Sequence, residues 1–174
     1  MTKSKITMNK ILNNPDEYRG YFISQFAELE RSIDMFLADY FIPDDSNCAE
    51  ELIEILIDRI TFESKRTALR VIFERQPETD IIRNKKVIPK GVYKKLLEEI
   101  RKSSVIRNYF AHYKTIDFDK SDAYYPIIKD KNVIIGLVQF RDSTTHITYT
   151  NAKFYEEIEK IGKCKDAILK MLSE

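Results

Sequence analysis

The sequence predicts a mainly α protein, a helical bundle of four to five helices with a small antiparallel β insertion before the last helix. Apolar residues recur at three- and four-residue steps through most of residues 15–114 and again over residues 151–172, which is the spacing of one helical face. Residues 123–150 are instead rich in β-branched and aromatic side chains separated by short polar turns. With 174 residues, 43% of them hydrophobic and 33% charged, the chain is predicted to form one globular domain over residues 1–174.

The first helix is predicted over residues 15–42. Asn14 is a favourable cap, and Pro15 suits the first helical position because its missing N–H has no partner there. Pro43 ends the helix, since the residue before a proline avoids the α conformation. The polar face of this helix is expected in solvent: Glu28, Glu30, Arg31 and Asp34.

Residues 47–75 are predicted to form either one bent helix or two successive helices, because the charged run Glu63–Arg66 interrupts the apolar pattern. Asn47 and Glu50 have the spacing of a capping box at its start. Residues 76–90 contain two prolines and mixed polarity, which indicates a loop.

A third long helix is predicted over residues 90–114, with an apolar stripe that includes Ile106 and Phe110. On an ideal helix, Asn108 and His112 point about 200° away from that stripe and share one face. Three short strands are then predicted as a hairpin or meander: Tyr124–Ile128, Val133–Phe140 and His146–Tyr149. Thr150 or Asn151 caps the final helix, over residues 151–172.

Composition indicates in which compartment the protein is expected and whether it is expected to bind a metal. No apolar run approaches the roughly 20 residues that span a membrane, and residues 1–14 lack the apolar core of a secretory signal, so we expect a cytoplasmic protein. Cys48 and Cys164 lack paired spacing, which is typical of buried thiols in a reducing cytosol, although a disulfide between them stays open. The six acidic residues between Asp44 and Asp58 have no histidine nearby, so neither a metal nor another cofactor is predicted.

Charge is distributed unevenly along the chain. Residues 15–82 carry seven basic and sixteen acidic side chains, a balance of −9, whereas residues 83–114 carry ten basic and two acidic side chains, a balance of +8. Clustered cations make a local field suited to a polyanion such as RNA. A lysine-rich helix face in solvent would produce the same pattern.

The stretch Arg107–His112, reading RNYFAH, holds one of the two histidines of the chain. RNA is cut without a metal when its 2′-hydroxyl attacks the adjacent phosphorus, which requires a base, a cation for the charged phosphorane and a polar group that orients the parts. His112 suits the role of base or acid, Arg107 can bind the phosphate through its planar fork, and Asn108 can orient the reactants.

These residues resemble the motif of the HEPN superfamily (higher eukaryotes and prokaryotes nucleotide-binding domains). That motif is an arginine followed by four to six residues and a histidine, often with asparagine directly after the arginine and alanine before the histidine. Arg107, Asn108, Ala111 and His112 match it. The helix order also resembles the family, with ELERSIDMFLADYF in the first long helix and ITFESKRTAL in the second. The resemblance covers residues 20–114 and the last helix, and the β-rich stretch looks like a subfamily insertion.

The resemblance implies a metal-independent endoribonuclease that leaves a 2′,3′-cyclic phosphate at a composite site in a homodimer formed through the motif helix. Such proteins are frequent in toxin–antitoxin and antiphage systems, so an antitoxin or a nucleotidyltransferase is a possible partner. One alternative is a non-catalytic HEPN module for RNA binding or protein–protein interaction, and another is a four-helix scaffold in which the match to the motif is coincidental. Side chains expected to contact RNA by phosphate pairing or stacking are Arg101, Lys102, Tyr109 and Lys114. Tyr113 is expected to pack at an interface, and His146, in a strand-like stretch, is expected to be non-catalytic.

Overall fold

The computed structural model describes residues 14–43, 45–83, 89–116, 133–139 and 146–173, and these form five α-helices and one three-stranded antiparallel sheet. The helices are α1 (Pro15–Phe41), α2 (Ser46–Ile55), α3 (Phe62–Arg83), α4 (Lys90–His112) and α5 (Asn151–Ser173), with a 3₁₀ turn at Ile57–Arg59. The strands are β1 (Lys114–Ile116), β2 (Val133–Val138) and β3 (His146–Thr150). The predicted fold class, a helical bundle with a small sheet before the last helix, is confirmed.

Helix α1 is the central element, because it packs against each of the other four helices. Its start is set by Asn14, whose side chain accepts a hydrogen bond of 2.9 Å from the Glu17 N–H, and by Pro15 in the first turn. Aromatic and aliphatic side chains at helical spacing then face the core: Tyr18, Phe22, Phe26, Leu29, Ile33, Phe36 and Leu37. The apolar stripe therefore places the core along this helix.

Ring contacts fix the direction of the neighbouring helices. Helix α3 runs parallel to α1, since Phe62 packs 4.8 Å from Phe26 and Phe73 packs 5.7 Å from Phe36, between ring centroids. Helix α4 runs antiparallel to both. Its early residue Tyr93 contacts Phe73, whereas its late residue Phe110 contacts Phe22 near the start of α1.

The sheet has the order β1-β2-β3, with both pairs antiparallel. The strand β1 was not expected, because the predicted third helix ran to Lys114. Helix α4 ends at His112 instead, and Tyr113 adopts an extended backbone that leads directly into the strand. The predicted strand at residues 124–128 and the turns around it lie outside the described residues.

Residues 47–75 contain a break between α2 and α3, so the alternative of two helices is confirmed. The break does not lie at Glu63–Arg66, because that run forms the first turns of α3, where the Thr61 hydroxyl oxygen accepts a hydrogen bond from the Ser64 N–H at 3.2 Å. The predicted cap Asn47 is also wrong: the Asp45 carboxylate accepts from the Cys48 N–H at 3.0 Å, so the cap of α2 lies two residues earlier.

Helix α3 continues to Arg83, so the predicted loop over residues 76–90 is wrong for its first half. A proline removes one helical hydrogen bond, but it does not prevent the residues after it from remaining helical. The final helix begins as expected, because the Thr150 hydroxyl accepts from the Lys153 N–H at 3.3 Å.

The structure also bears on the predictions about the two cysteines and about membrane-spanning helices. Both cysteines are free thiols, and Cys48 is exposed rather than buried because it lies on the outer face of the first turn of α2. Cys164 is buried, and burial raises the pKa of its thiol to about 11. Within the described ranges, no helix combines the length and the apolar character needed to cross a membrane.

A buried ion pair joins α1 to α3. The predicted solvent position of Asp34 is wrong: its side chain is 4% exposed, that of Lys65 is 3% exposed, and the Lys65 Nζ lies 2.9 Å from Asp34 Oδ1. The same ammonium donates a hydrogen bond of 2.9 Å to Glu30 Oε1, one helical turn earlier on α1. Burial raises the pKa of the Asp34 carboxyl, and the Lys65 ammonium opposes that effect. The carboxylate therefore depends on its lysine partner.

We expect Lys65→Met to lower the free energy of unfolding by about 3–5 kcal/mol, because the variant leaves the Asp34 carboxylate buried without its cation. Urea denaturation followed by circular dichroism measures this loss. The matched control is Arg70→Met on the same helix, where the exposed pair with Glu74 has a separation of 3.9 Å and should contribute no more than about 0.5 kcal/mol. Equal losses in the two variants would contradict a stabilising role for the buried pair.

Candidate functional site

The three predicted catalytic residues lie in the last two turns of α4. Asn108 and His112 are exposed and four residues apart, so their side chains leave the same face of the helix. Phe110, between them, is completely buried. The predicted outward direction of Asn108 and His112 is confirmed, and the polar side chains lie at the surface directly over the core.

Two contacts hold the guanidinium of Arg107, which is partly buried. Its Cζ lies 5.4 Å from the centre of the Phe26 ring, and its Nη1 donates a hydrogen bond of 3.1 Å to the Asn108 side-chain oxygen. A guanidinium over an aromatic face is attracted by the negative charge of the ring surface. The cation is therefore held between α1 and an exposed amide, and Asn108 orients it directly.

Phe110 anchors this part of the helix to the rest of the protein. Its ring is stacked on Phe22 of α1 at 4.4 Å and lies 5.2 Å from Tyr149 of β3 and 5.9 Å from Phe154 of α5. Three separate elements therefore determine where the motif lies, although their residues are distant from it in the sequence. Aromatic pairs at these separations add to the effect of burial alone.

Backbone contacts define the end of α4 at His112. The Tyr113 N–H donates to the Tyr109 carbonyl at 2.9 Å, and the Arg19 Nη2 donates to the Ala111 carbonyl at 2.9 Å. The contacts of Phe26 and Arg19 with the motif were not expected from the sequence. Phe26 belongs to the recognisable apolar stripe of α1, whereas no local signal marks Arg19.

The structure separates the predicted RNA-contacting residues into two groups. Tyr109 and Lys114 are near His112: Tyr109 is half-buried with its ring centre 5.0 Å from that of Tyr113, and Lys114 is exposed at the start of β1. Arg101 and Lys102 lie about 15–17 Å along the helix from His112, at 1.5 Å per residue.

Both distant cations are already paired with carboxylates. Arg101 donates two hydrogen bonds to Glu98, at 2.9 and 2.8 Å, and Lys102 donates one of 2.9 Å to Glu99. Arg66 and Arg101 together lower the pKa of Glu63 on the neighbouring helix α3. The positive balance of this helix is therefore partly neutralised at its middle. Lys90, Lys94 and Lys95 are exposed towards its N-terminal end, and Lys114 is exposed just beyond its C-terminal end.

His146 is the exposed first residue of β3, where it pairs with Val138 in the sheet. Among the described residues, no cluster of three or more histidine, cysteine or acidic side chains is arranged to hold a metal ion. Comparison with protein-family models, curated proteins and solved structures found no match to this chain. The site is therefore interpreted from its own residues and geometry.

Replacement of Phe110 tests how strongly the core supports the motif. We expect Phe110→Ala to lower the free energy of unfolding by about 3–5 kcal/mol, because it removes a completely buried ring and leaves a cavity among Phe22, Tyr149 and Phe154. Denaturant titration measures the loss.

Phe41→Ala is the matched control, since Phe41 is 61% exposed at the end of α1 and should lose only about 1 kcal/mol. A loss of similar size in the two variants would show that Phe110 does not anchor the motif.

Proposed function

We propose that the protein is a metal-independent endoribonuclease of HEPN type, with Arg107, Asn108 and His112 at its active site. One observation carries the proposal: the exposed Asn108 and His112 share a face of α4 beside a guanidinium that Phe26 and Asn108 hold in place. An anchored cation and an exposed imidazole on the same two turns of a helix are two of the groups that cleavage by the 2′-hydroxyl of RNA requires.

The reaction needs two proton transfers. A base takes the proton of the 2′-hydroxyl while its oxygen forms a bond to phosphorus, and an acid protonates the 5′-oxygen as the bond between that oxygen and phosphorus breaks. The products are a 2′,3′-cyclic phosphate and a free 5′-hydroxyl. His112 takes one of these roles, and Arg107 stabilises the additional negative charge on the phosphorane oxygens.

One copy of the motif offers one imidazole, whereas the reaction uses a base and an acid. A second copy of the chain could pack against the exposed face of α4, with a two-fold axis between the two motif helices. It would bring a second His112 and a second Arg107 to the same phosphate. The outward direction of Asn108 and His112 supports this arrangement, because both are accessible to a partner. The proposed active form is therefore a homodimer through the motif helix.

The RNA would approach along the C-terminal part of α4. Lys114 is exposed two residues after His112, and Tyr109 is half-buried one turn before it, so phosphate pairing and base stacking are both within reach of the cleavage site. Arg101 and Lys102 would contact RNA further along the helix by exchanging their carboxylate partners for phosphates, since exposed ion pairs contribute little to stability.

The resemblance of the motif to HEPN proteins also suggests the setting. We propose a cytoplasmic role in a toxin–antitoxin or antiphage system, in which an antitoxin or a nucleotidyltransferase would restrain the nuclease. RNA is the substrate, and the proposed chemistry requires neither a metal nor another cofactor.

Cleavage of single-stranded RNA in the presence of EDTA tests the assignment. We expect the purified protein to leave 2′,3′-cyclic phosphate ends, and His112→Ala and Arg107→Ala each to lower the rate at least about 100-fold because the proton transfer or the phosphorane contact is lost. Gel analysis of labelled RNA measures the rate and end-group mapping identifies the product.

The second histidine provides the matched control for this experiment. His146→Ala removes the same side chain from β3 and should leave the cleavage rate within about 2-fold of the original, because His146 lies outside the motif helix and takes no part in the proposed proton transfers. Binding of RNA without cleavage would instead indicate a non-catalytic module. Full activity in both motif variants would exclude the assignment of Arg107 and His112.

Mixed dimers test whether the active site is composite. If both copies of His112 are needed, an equal, randomly exchanged mixture of original and His112→Ala chains should retain about one quarter of the activity, because only that fraction pairs two intact chains. Co-expression with two different tags allows the mixed species to be purified and assayed alone. Activity of about one half in the mixture, with active mixed dimers, would show that each chain works independently.

A further inference from the structure

Arg19 connects the start of α1 to the last turn of α4, across 92 positions of sequence. Its Nη2 donates a hydrogen bond of 2.9 Å to the carbonyl oxygen of Ala111, and both residues are partly buried. Ala111 directly precedes His112. The contact therefore acts on the backbone that carries the proposed catalytic imidazole, and it does not involve the imidazole itself.

A helix leaves the carbonyls of its last four residues without partners inside the helix. In α4, the Tyr109 carbonyl accepts from the Tyr113 N–H, and the Ala111 carbonyl accepts from Arg19. A guanidinium at this position also complements the partial negative charge at the C-terminal end of the helix. Arg19 thus supplies one of the last carbonyls of α4 with a donor from another element.

The neighbouring contact makes the arrangement more rigid. Phe22, three residues after Arg19, stacks on Phe110, which directly precedes Ala111. Successive turns of α1 therefore hold successive residues of α4, one through an aromatic stack and one through a hydrogen bond. The aromatic contact lies in the core, and the Arg19 contact lies at its edge, where α4 ends and His112 becomes exposed.

We propose that Arg19 is a positioning residue, which holds the last turn of α4 so that the His112 imidazole stays in its reactive place. This inference rests on the proposed endoribonuclease function. Catalysis by a positioned group is sensitive to small shifts, since a displacement of about 1 Å can reduce the rate about 100-fold. Loss of the Arg19 contact should therefore lower kcat, whereas KM, which depends on the wider RNA surface, should change little.

The first measurement does not depend on catalysis. Amide hydrogen exchange, followed by NMR, reports the opening of the hydrogen bond from the Tyr113 N–H to the Tyr109 carbonyl, which closes the last turn. We expect Arg19→Met to accelerate exchange at Tyr113 about 10-fold, because a carbonyl of that turn loses its partner and the turn opens more often. Arg19→Lys, which keeps a charged donor, should restore part of the protection.

Arg31→Met is the matched control. Arg31 is an exposed arginine further along α1, close to α2 rather than to α4, so this variant removes the same charge without affecting the Ala111 carbonyl. Exchange at Tyr113 should stay at its original rate in this variant. Thermal denaturation of all three variants establishes that they are folded, and the lysine variant keeps the test decisive if Arg19→Met does not fold.

The second measurement is cleavage kinetics. We expect Arg19→Met to lower kcat about 10-fold with KM within about 2-fold, Arg19→Lys to recover part of the loss and Arg31→Met to resemble the original protein. A lower kcat without faster exchange would overturn the positioning role, because Arg19 would then act on the RNA. Unchanged exchange and unchanged kcat would overturn it as well.

The two measurements separate this inference from the function on which it rests. If the original protein does not cleave RNA, the endoribonuclease assignment fails, and exchange at Tyr113 alone decides whether Arg19 holds the turn. If the original protein is active and exchange accelerates in Arg19→Met while kcat is unchanged, the assignment stands and the positioning role is wrong.

Discussion

The stack of Phe22 on Phe110 is the contact on which the candidate site depends. It brings the start of α1 against the end of α4 with 4.4 Å between ring centres, and Tyr149 and Phe154 surround the same ring from the sheet and from α5. A completely buried ring has few alternative positions in a close-packed interior. Because Phe110 lies between Asn108 and His112, a fixed position for its ring also fixes the helix face on which the two polar side chains emerge.

The two sides of residues 107–112 of α4 have different roles. The inner side supplies apolar area to the core, and the outer side presents an amide, an imidazole and a guanidinium at the surface. Arg107 belongs partly to each side, since its charge lies against the buried Phe26 ring while its hydrogen bond goes to the exposed Asn108. The stability of the bundle and the order of the site are therefore not separate properties.

Local features of the sequence predict those parts of the structure that depend on local geometry. Helical periodicity places Phe110 inside and Asn108 and His112 outside, because side-chain directions within one helix follow from the residue spacing. Asn14 and Thr150 mark helix starts for a similar reason, since a cap acts within one turn. The two-helix form of residues 47–75 was one of two alternatives, and the sequence did not decide between them.

Contacts between distant residues are the part that the sequence does not reveal. The Lys65–Asp34 pair and the Arg19–Ala111 hydrogen bond join residues 31 and 92 positions apart, and each depends on how the helices pack. A charged residue on a helix is usually solvated, so the burial of Asp34 contradicts the most reasonable expectation. Strand β1 was missed because its pairing partner, β2, is remote in sequence, and three residues carry too little pattern of their own.

The junction between α4 and the sheet has a mechanical consequence. Tyr113 alone separates the last residue of α4 from the first residue of β1, so the chain has no slack at this point. A flexible loop would absorb a displacement, whereas one extended residue transmits it along the backbone. Any rearrangement of the sheet that shifts β1 must therefore also stretch, compress or rotate the end of the helix that carries His112.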